Sequence, residues 1–431
     1  MQCKEEKTYS FDYAPMQRDH TTDAPLRKRL LNEPFGATER SAASLRAQLG
    51  PVFFLTVIFF LNFTSRIILS PLLPNIEKEL GIHHGQAGFL FFMSSGGYLA
   101  GLLLSGLLAS RTSHRSSIIV SSAGVGAAML LIELATNLAM IRTGLFCVGF
   151  SAGLYMLSAI ATITSLVDRR HWGKAISVHE LAPNLAFFLS PFIAEFFLAW
   201  FGWRVALGTI GGLSILASLS FYRFGRGGAF PGESPFSNAF ATLMRTPSYW
   251  LMVILFSLGV SATVGVYAML PLYLVVERGL APSWANTVVA FSRVHGPFLG
   301  LLGGWASDTL GAKQTIVISL GFTGIITAML GLPVGKGLIT AVLFQPLLAV
   351  WFFPAAFAAI AAITPTHARN LAVAFSVPFG FLIGGGAIPT FIGAMGDAGS
   401  FANGLIVTGG LIGAGGIVAL FLKFPRIGHG V

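Results

Sequence analysis

Three features of this sequence predict an all-α membrane protein with twelve transmembrane helices in two pseudo-symmetric six-helix bundles: its hydropathy, the spacing of its apolar runs and an internal repeat. Of 431 residues, 54% are hydrophobic and 10% charged, with a mean hydropathy of +0.75. Soluble domains carry roughly 25% charge. Runs near the roughly 20 residues that cross a bilayer as a helix occur twelve times, at 51–74, 86–109, 118–137, 138–165, 175–200, 204–222, 248–274, 284–306, 315–333, 337–363, 371–396 and 401–422. Barrel strands would alternate in hydrophobicity, and these runs do not.

The net charge of +10 invites a nucleic-acid reading, but the basic residues follow membrane topology instead. With the N-terminus in the cytoplasm, 20 Lys and Arg fall on inner segments, four outside (Lys78, Arg204, Arg278, Lys336) and three within helices (Arg66, Arg142, Arg293). This bias satisfies the positive-inside rule. Both termini are therefore expected in the cytoplasm of a multi-pass protein of the cell membrane, the inner membrane in a Gram-negative cell. Residues 1–48 mix both signs of charge and read as a disordered tail. The first apolar run starts too late, and runs too long, for a signal peptide. Cys3 and Cys147 suggest neither a disulfide framework nor a metal site, and no cofactor is expected.

A shift of 198 residues lays Glu79 and Gly81 on Glu277 and Gly279, Gly106 on Gly304, and Pro191 on Pro389. The chain then divides into a tail (1–48), a six-helix bundle (49–222), a cytoplasmic linker (223–247), a second bundle (248–423) and a short tail (424–431). A ligand site is expected between the bundles near the membrane midplane.

The loops after the second and eighth helices read GLLASRTSHR (106–115) and GWASDTLGAK (304–313). With RTGLFCVGFSAGLY (142–155), RRHWGKA (169–175) and GWR (202–204), they resemble the signature segments of the major facilitator superfamily. The second loop keeps Gly304, Asp308, Gly311 and Lys313. The first keeps Gly106, Arg111 and Arg115 but has Ser110 where the acid is usual and Ser113 where the glycine is. The resemblance implies a secondary transporter working by alternating access, with Arg111, Arg115, Asp308 and Lys313 as gating residues.

Charges inside apolar helices cost several kcal/mol unless compensated, so each needs a partner or a ligand. Glu133 with Arg142, and Glu195 with Arg204, flank tight turns at matching depth and are expected to form structural ion pairs; Arg142 has a role in proton coupling as its alternative. Arg66, Arg293 and Glu180 have no local partner. The 3.6-residue period puts Asn62, Arg66 and Ser70 on one helix face, predicting either a cavity wall or a hydrogen-bonded helix seam. On the eighth helix it places Asn286, Arg293, Gly296 and Gly300 together and turns His295 toward a neighbouring helix. An arginine fork matches carboxylate or phosphate, so Arg66 and Arg293 are candidate anion ligands. Asn184, Tyr98 and Tyr155 are expected to complete the site, and Tyr267 is a weaker candidate. Glu180 is a candidate proton carrier or a cytoplasmic gate, with His179 and His295 as titratable neighbours.

These residues predict a monomeric carrier of a small organic anion, a carboxylate above all, driven by proton symport or anion exchange. An eighth-helix arginine resembles the monocarboxylate and oxalate/formate carriers, and paired membrane arginines resemble nitrate and organophosphate carriers. A proton-driven exporter of lipophilic compounds is the alternative, although the fifth helix reads PNLAFFLSP and not the glycine-rich pattern of such exporters. A membrane sensor that binds without transporting is a third option. HExxH, GxSxG, phosphate-loop and CxxC motifs are all missing, which speaks against an enzyme or a nucleotide-driven pump.

Overall fold

The computed structural model describes residues 45–232, 243, 245–332, 335, 337–364 and 368–424. The expected disordered tail up to residue 44, the linker at 233–242 and 244, Lys336 and the terminal residues 425–431 lie outside the described residues. Among the described residues, eleven helices are long and apolar enough to cross a membrane: α1 (Gln48–Leu80), α2 (His84–Arg111), α3 (His114–Glu133), α4 (Leu138–Leu166), α5 (Arg169–Trp200), α6 (Trp203–Phe224), α7 (Pro247–Val276), α9 (Ala312–Leu330), α10 (Gly337–Ile363), α11 (Leu371–Asp397) and α12 (Phe401–Ala419). The twelfth crossing, α8, is divided into Pro282–Phe291 and Gly296–Leu310, neither of which spans alone. The fold class is the twelve-helix one expected.

Prolines cause most of the interruptions. A proline inside a helix gives no hydrogen bond to the carbonyl four residues back and crowds it. Pro71, Pro183 and Pro297 thus act on Ile67, His179 and Arg293, and the regular helix stops at Ile67, His179 and Phe291. Pro191 and Pro271 lie within continuous helix and free the carbonyls of Phe187 and Tyr267. In α7 and α11 the break is a π-helical turn, Ser261–Gly265 and Phe381–Ala387. Such turns leave backbone carbonyls that side chains must satisfy.

Glycines let the helix backbones touch. A Cβ on Gly97 or Gly101 of α2 would strike the carbonyls of Phe146 and Phe150 in α4, and one on Gly149 would strike Ser94. That close approach without bulky side chains is how membrane helices gain van der Waals contact.

The 198-residue repeat extends to the helix ends. Arg115 donates to the carbonyls of Gly225, Phe221 and Tyr222 at the end of α6. Lys313, 198 residues later, donates to Leu422 O just beyond α12, at 3.2 Å. Glu79 accepts from Trp203 Nε1 at 2.6 Å and from Arg204 at the start of α6; Glu277 accepts from Ala402 N at the start of α12. Basic side chains on terminal carbonyls and carboxylates near helix starts both complement the helix dipole favourably.

The expected hairpin ion pairs are not formed. Arg204 binds Glu79 and Ala135 O, while Glu195 accepts from Asn286 at 2.6 Å. Arg142 lies 5.3 Å from the Phe89 ring centroid, and Glu133 packs on Gly208 of α6. Matching depth across a hairpin does not fix direction around each helix, and here the two members look toward different neighbours.

Between the halves, polar contacts gather at the end where α1 turns into α2. Asp397 at the end of α11 accepts from the backbone amides of His84 and Gly85, at 2.8 and 2.9 Å. Gly88 of α2 abuts Pro389 of α11, and Gly393 abuts His84. At the opposite end Arg115 and Lys313 bind within their own halves, and Arg111 and Asp308 are exposed. The four gating candidates form no ion pair among the described residues.

Candidate functional site

Arg293 sits in the break of α8. Pro297 cannot donate to Arg293 O, so the chain tightens to a bond from Gly296 N at 3.1 Å, and the side chain turns toward α7. There the π turn has left carbonyls free: Arg293 Nη2 donates to Thr263 O at 3.1 Å, and Gln345 donates to Ala262 O at 2.7 Å. The guanidinium lies 5.0 Å from the Phe187 ring centroid and 5.1 Å from that of Tyr267. It is 6% exposed, and its Nε has no partner.

Arg66 lies near the proline break of α1 and is 9% exposed. Its guanidinium is 4.2 Å from the Tyr98 ring centroid and 5.1 Å from those of Phe63 and Phe381; its Nε is likewise unpartnered. A desolvated cation–π contact contributes about 2 kcal/mol, against about 2.5–3.5 kcal/mol for an arginine at the centre of a membrane helix on insertion scales. The rings thus offset much of the burial cost without using the N–H donors. Neither Arg66 nor Arg293 has an ion-pair partner among the described residues.

A small cleft lies beside Arg66, walled by Phe63, Phe91, Ser94, Tyr267 and Phe381. Tyr267 connects the two arginines, with one of them beside the cleft it lines and the other against its ring. Pro271 frees Tyr267 O, which accepts from Ser70 at 2.7 Å. Pro191 frees Phe187 O, which the Tyr267 hydroxyl meets at 3.4 Å. Phe187 packs edge-on against both Phe63 and Tyr267, at 5.2 and 4.8 Å. The aromatic cluster therefore runs from Arg66 to Arg293.

Other expected residues fall elsewhere. Asn62 lies in a helix seam, its amide 3.4 Å from Ser121 Oγ and Ala152 O, and Ser70 is spent on Tyr267 O. The stripe Asn62, Arg66 and Ser70 is thus a hydrogen-bonded seam at both ends, with only Arg66 reaching the cleft. Asn286 binds Pro71 O and Glu195 and stands apart from Arg293. Asn184 donates to Glu180 O at 3.0 Å and fits against Gly296, whose missing side chain leaves it room. His295 is exposed, as are its neighbours Val294 and Phe298. Tyr98 stacks under Arg66.

A second constellation forms where Pro183 interrupts α5. His179 is fully buried, with its ring parallel to Phe59 at 4.4 Å. Its Nε2 is 3.1 Å from the Tyr155 hydroxyl and its Nδ1 3.3 Å from Glu180 Oε1. Tyr155 donates onward to Leu55 O at 2.7 Å. The Glu180 side chain is 42% exposed.

By sequence Tyr267 is a weak candidate, and nothing distinguishes Phe63, Phe187 or Phe381 from the other phenylalanines. Phenylalanine is too frequent here, at 38 residues, to single out by type. The overlooked signal was the proline four residues downstream of both Tyr267 and Phe187.

The chain aligns with the chloramphenicol resistance protein of Streptomyces lividans at 23% identity, over 62% of this chain and 69% of that protein. It aligns with the "Probable sulfoacetate transporter SauU" of Cupriavidus necator at 24% identity, over 37% of each. Its fold matches the inward-facing, unoccupied crystal structure of a bacterial homolog of the human lysosomal transporter Spinster, with a TM-score of 0.68, 17% identity, and coverage of 88% of this chain and 95% of that one. The family model of the Major Facilitator Superfamily matches residues 55–334. With twelve crossings, the repeat and this match together, the chain belongs to the Major Facilitator Superfamily.

Proposed function

We propose that this protein is a secondary transporter for a small organic anion with an apolar body, a monocarboxylate above all, and that Arg66 and Arg293 form its anion site. The observation carrying this reading is the pair of buried guanidinium groups, Arg293 against the Tyr267 ring and Arg66 in the cleft that Tyr267 lines, each with an unused Nε–H and no carboxylate partner among the described residues. Buried arginines are normally paired, so an unpaired one is a ligand site in waiting. The cleft walls are mostly aromatic and aliphatic, with Ser94, Ser95 and Tyr267 as the neutral polar members beside Arg66, which suits a charged head on a hydrophobic body better than a sugar phosphate.

Alternating access would rock the bundles 49–222 and 248–423 about this site, joined by the linker 223–247. With both termini cytoplasmic, as the basic loops indicate, the closed α1–α2 end faces outward and the cleft belongs to an inward-facing state. Coupling is by proton symport or by exchange. The sulfoacetate named for the Cupriavidus relative is an organic anion, which supports this class. The longer alignment, with the chloramphenicol resistance protein, and the apolar walls favour export of lipophilic compounds as the second reading.

Proteoliposome uptake of monocarboxylates, dicarboxylates, nitrate, sugar phosphates and chloramphenicol, with and without a pH gradient, separates the two. Arg66→Lys and Arg293→Lys keep the charge and lose the fork. Transport of a carboxylate, impaired in both variants, supports the anion site; unimpaired transport in both variants overturns it.

A further inference from the structure

We propose that His179 and Glu180 together hold one exchangeable proton, and that this proton travels with the anion held at Arg66, making the carrier a proton–anion symporter. The second half of this inference rests on the anion reading above; the first does not.

Donor and acceptor accounting leads there. Tyr155 has a single hydroxyl proton, and Leu55 O, at 2.7 Å, can only accept it. The Tyr155 oxygen is then left to accept from His179 Nε2, at 3.1 Å, so Nε2 carries a proton. His179 Nδ1 faces Glu180 Oε1 at 3.3 Å. For that contact to be a hydrogen bond, a proton must lie on Nδ1 or on the carboxyl. The pair thus holds a proton beyond neutral imidazole and carboxylate, whichever atom bears it.

Losing that proton costs a bond on either remaining arrangement. With His179 protonated at Nε2, the Nδ1 lone pair faces the carboxylate. With His179 protonated at Nδ1, Nε2 becomes an acceptor, and Tyr155 must turn its proton away from Leu55 O. Protonation therefore controls the tie between Tyr155 on α4 and the backbone of α1, the helix that carries Arg66. Exchange with water runs through Glu180, whose side chain is 42% exposed while that of His179 is buried.

Among the described residues, the titratable group in contact with the pair is Tyr155 from α4; α1 faces it with Phe59 and the Leu55 carbonyl. Tyr98 is within electrostatic reach of both Glu180 and Arg66. An anion on Arg66 and a bare carboxylate at Glu180 repel, so anion binding and protonation favour each other by linkage. One proton with one monoanion moves no net charge.

The test has two arms. In the first, carboxyl infrared difference spectra of the protein in nanodiscs are titrated without substrate. The wild-type protonation band is expected to disappear in Glu180→Gln and to move along the pH axis in His179→Gln, where the carboxyl remains but its partner is lost. In Tyr155→Phe it should move to lower pH by about one unit, because Nδ1–H can then satisfy the carboxylate with no extra proton. An unchanged titration in His179→Gln or Tyr155→Phe overturns the shared proton. In the second arm, Glu180→Gln is expected to exchange the carboxylate found in the panel but to lose accumulation driven by a pH gradient. Wild-type accumulation in that variant overturns the symport. If the unmodified protein moves no anion at all, the anion reading falls with the symport, and the infrared titration still decides the proton site.

Discussion

Arg115 and Lys313 stand 198 residues apart, and each holds the carbonyls that end the last helix of its half. Glu79 and Glu277, at the same spacing, each anchor the start of that helix. At the midplane the same shift carries Arg66 onto Val264, Ser95 onto Arg293 and Glu180 onto Pro378. The helices differ there too: α2 is continuous through Ser94–Gly97, whereas α8 is broken at the matching residues 292–295. Every helix needs its end groups satisfied, whatever the protein transports. Under the proposed function the centre faces one asymmetric ligand, so identical halves would be a handicap there.

The largest effects should follow from changing the asymmetric centre. Arg293→Lys and Arg66→Lys are each expected to weaken carboxylate affinity by about 10- to 100-fold, the loss of charge-assisted hydrogen bonds from a planar fork. Counterflow measurements give that number directly. Arg115→Lys, the same chemical change at a repeated end, should leave affinity unaltered. Equal losses at all three positions would erase the distinction between centre and end.

Pro297→Ala sharpens the same comparison by making α8 resemble α2. Alanine restores an N–H for Arg293 O and removes the ring that crowds it, so the segment can close into regular helix. Arg293 would then be drawn off Thr263 O and away from Tyr267. The expected result is a raised thermal unfolding midpoint with transport reduced about tenfold or more. Reduced stability with normal transport would mean that the break is structural only.

At the ends the repeat was legible in the sequence, although the capping by Arg115 and Lys313 was not; at the centre little but the charges was legible, for a physical reason. Glu79 and Glu277 were visible because an end group answers to its own helix, so the same residue type recurs at the same offset. Arg66 and Arg293 were visible as charges in apolar runs, since burial makes any such residue stand out. Their surroundings were hidden. Asn62 and Arg66 share a face by period, yet one meets α3 and α4 and the other the cleft, because helix direction depends on neighbours from both halves. The expected pairs Glu133–Arg142 and Glu195–Arg204 failed similarly, as depth was inferred and azimuth was not. Proline was the underused signal: stepping back four residues from Pro183, Pro191, Pro271 and Pro297 lands on His179, Phe187, Tyr267 and Arg293. The same carbonyl-freeing rule that explains the breaks would have named the cluster.

At the ends, smaller and unequal effects are expected from the two caps. Arg115→Ala removes three carbonyl contacts and Lys313→Ala one, which predicts losses of about 1–2 and about 0.5–1 kcal/mol in stability. The drop in thermal midpoint should therefore be larger for Arg115→Ala, and neither variant should change carboxylate affinity. A reversed order would show that the repeat in sequence does not carry a repeat in energetics.

Asp397→Asn should give the smallest effect, and it tests a polar end contact that crosses between the halves. The carboxylate accepts from the His84 and Gly85 amides, where the start of α2 offers unpaired N–H groups and the positive end of its dipole. Asparagine keeps one acceptor oxygen and loses the charge. Because Asp397 is exposed, water and salt screen the interaction, and a shift of only about two- to fivefold toward the outward-open state is expected. Labelling of a cysteine placed at Ser94, beside the cleft, by an impermeant reagent applied from the α1–α2 side should rise by that factor at low salt and less at high salt. An unchanged labelling rate at low salt would place the closure in the glycine contacts of α2 with α11, where Gly88 meets Pro389 and Gly393 meets His84, leaving the carboxylate as a passive cap like those within each half.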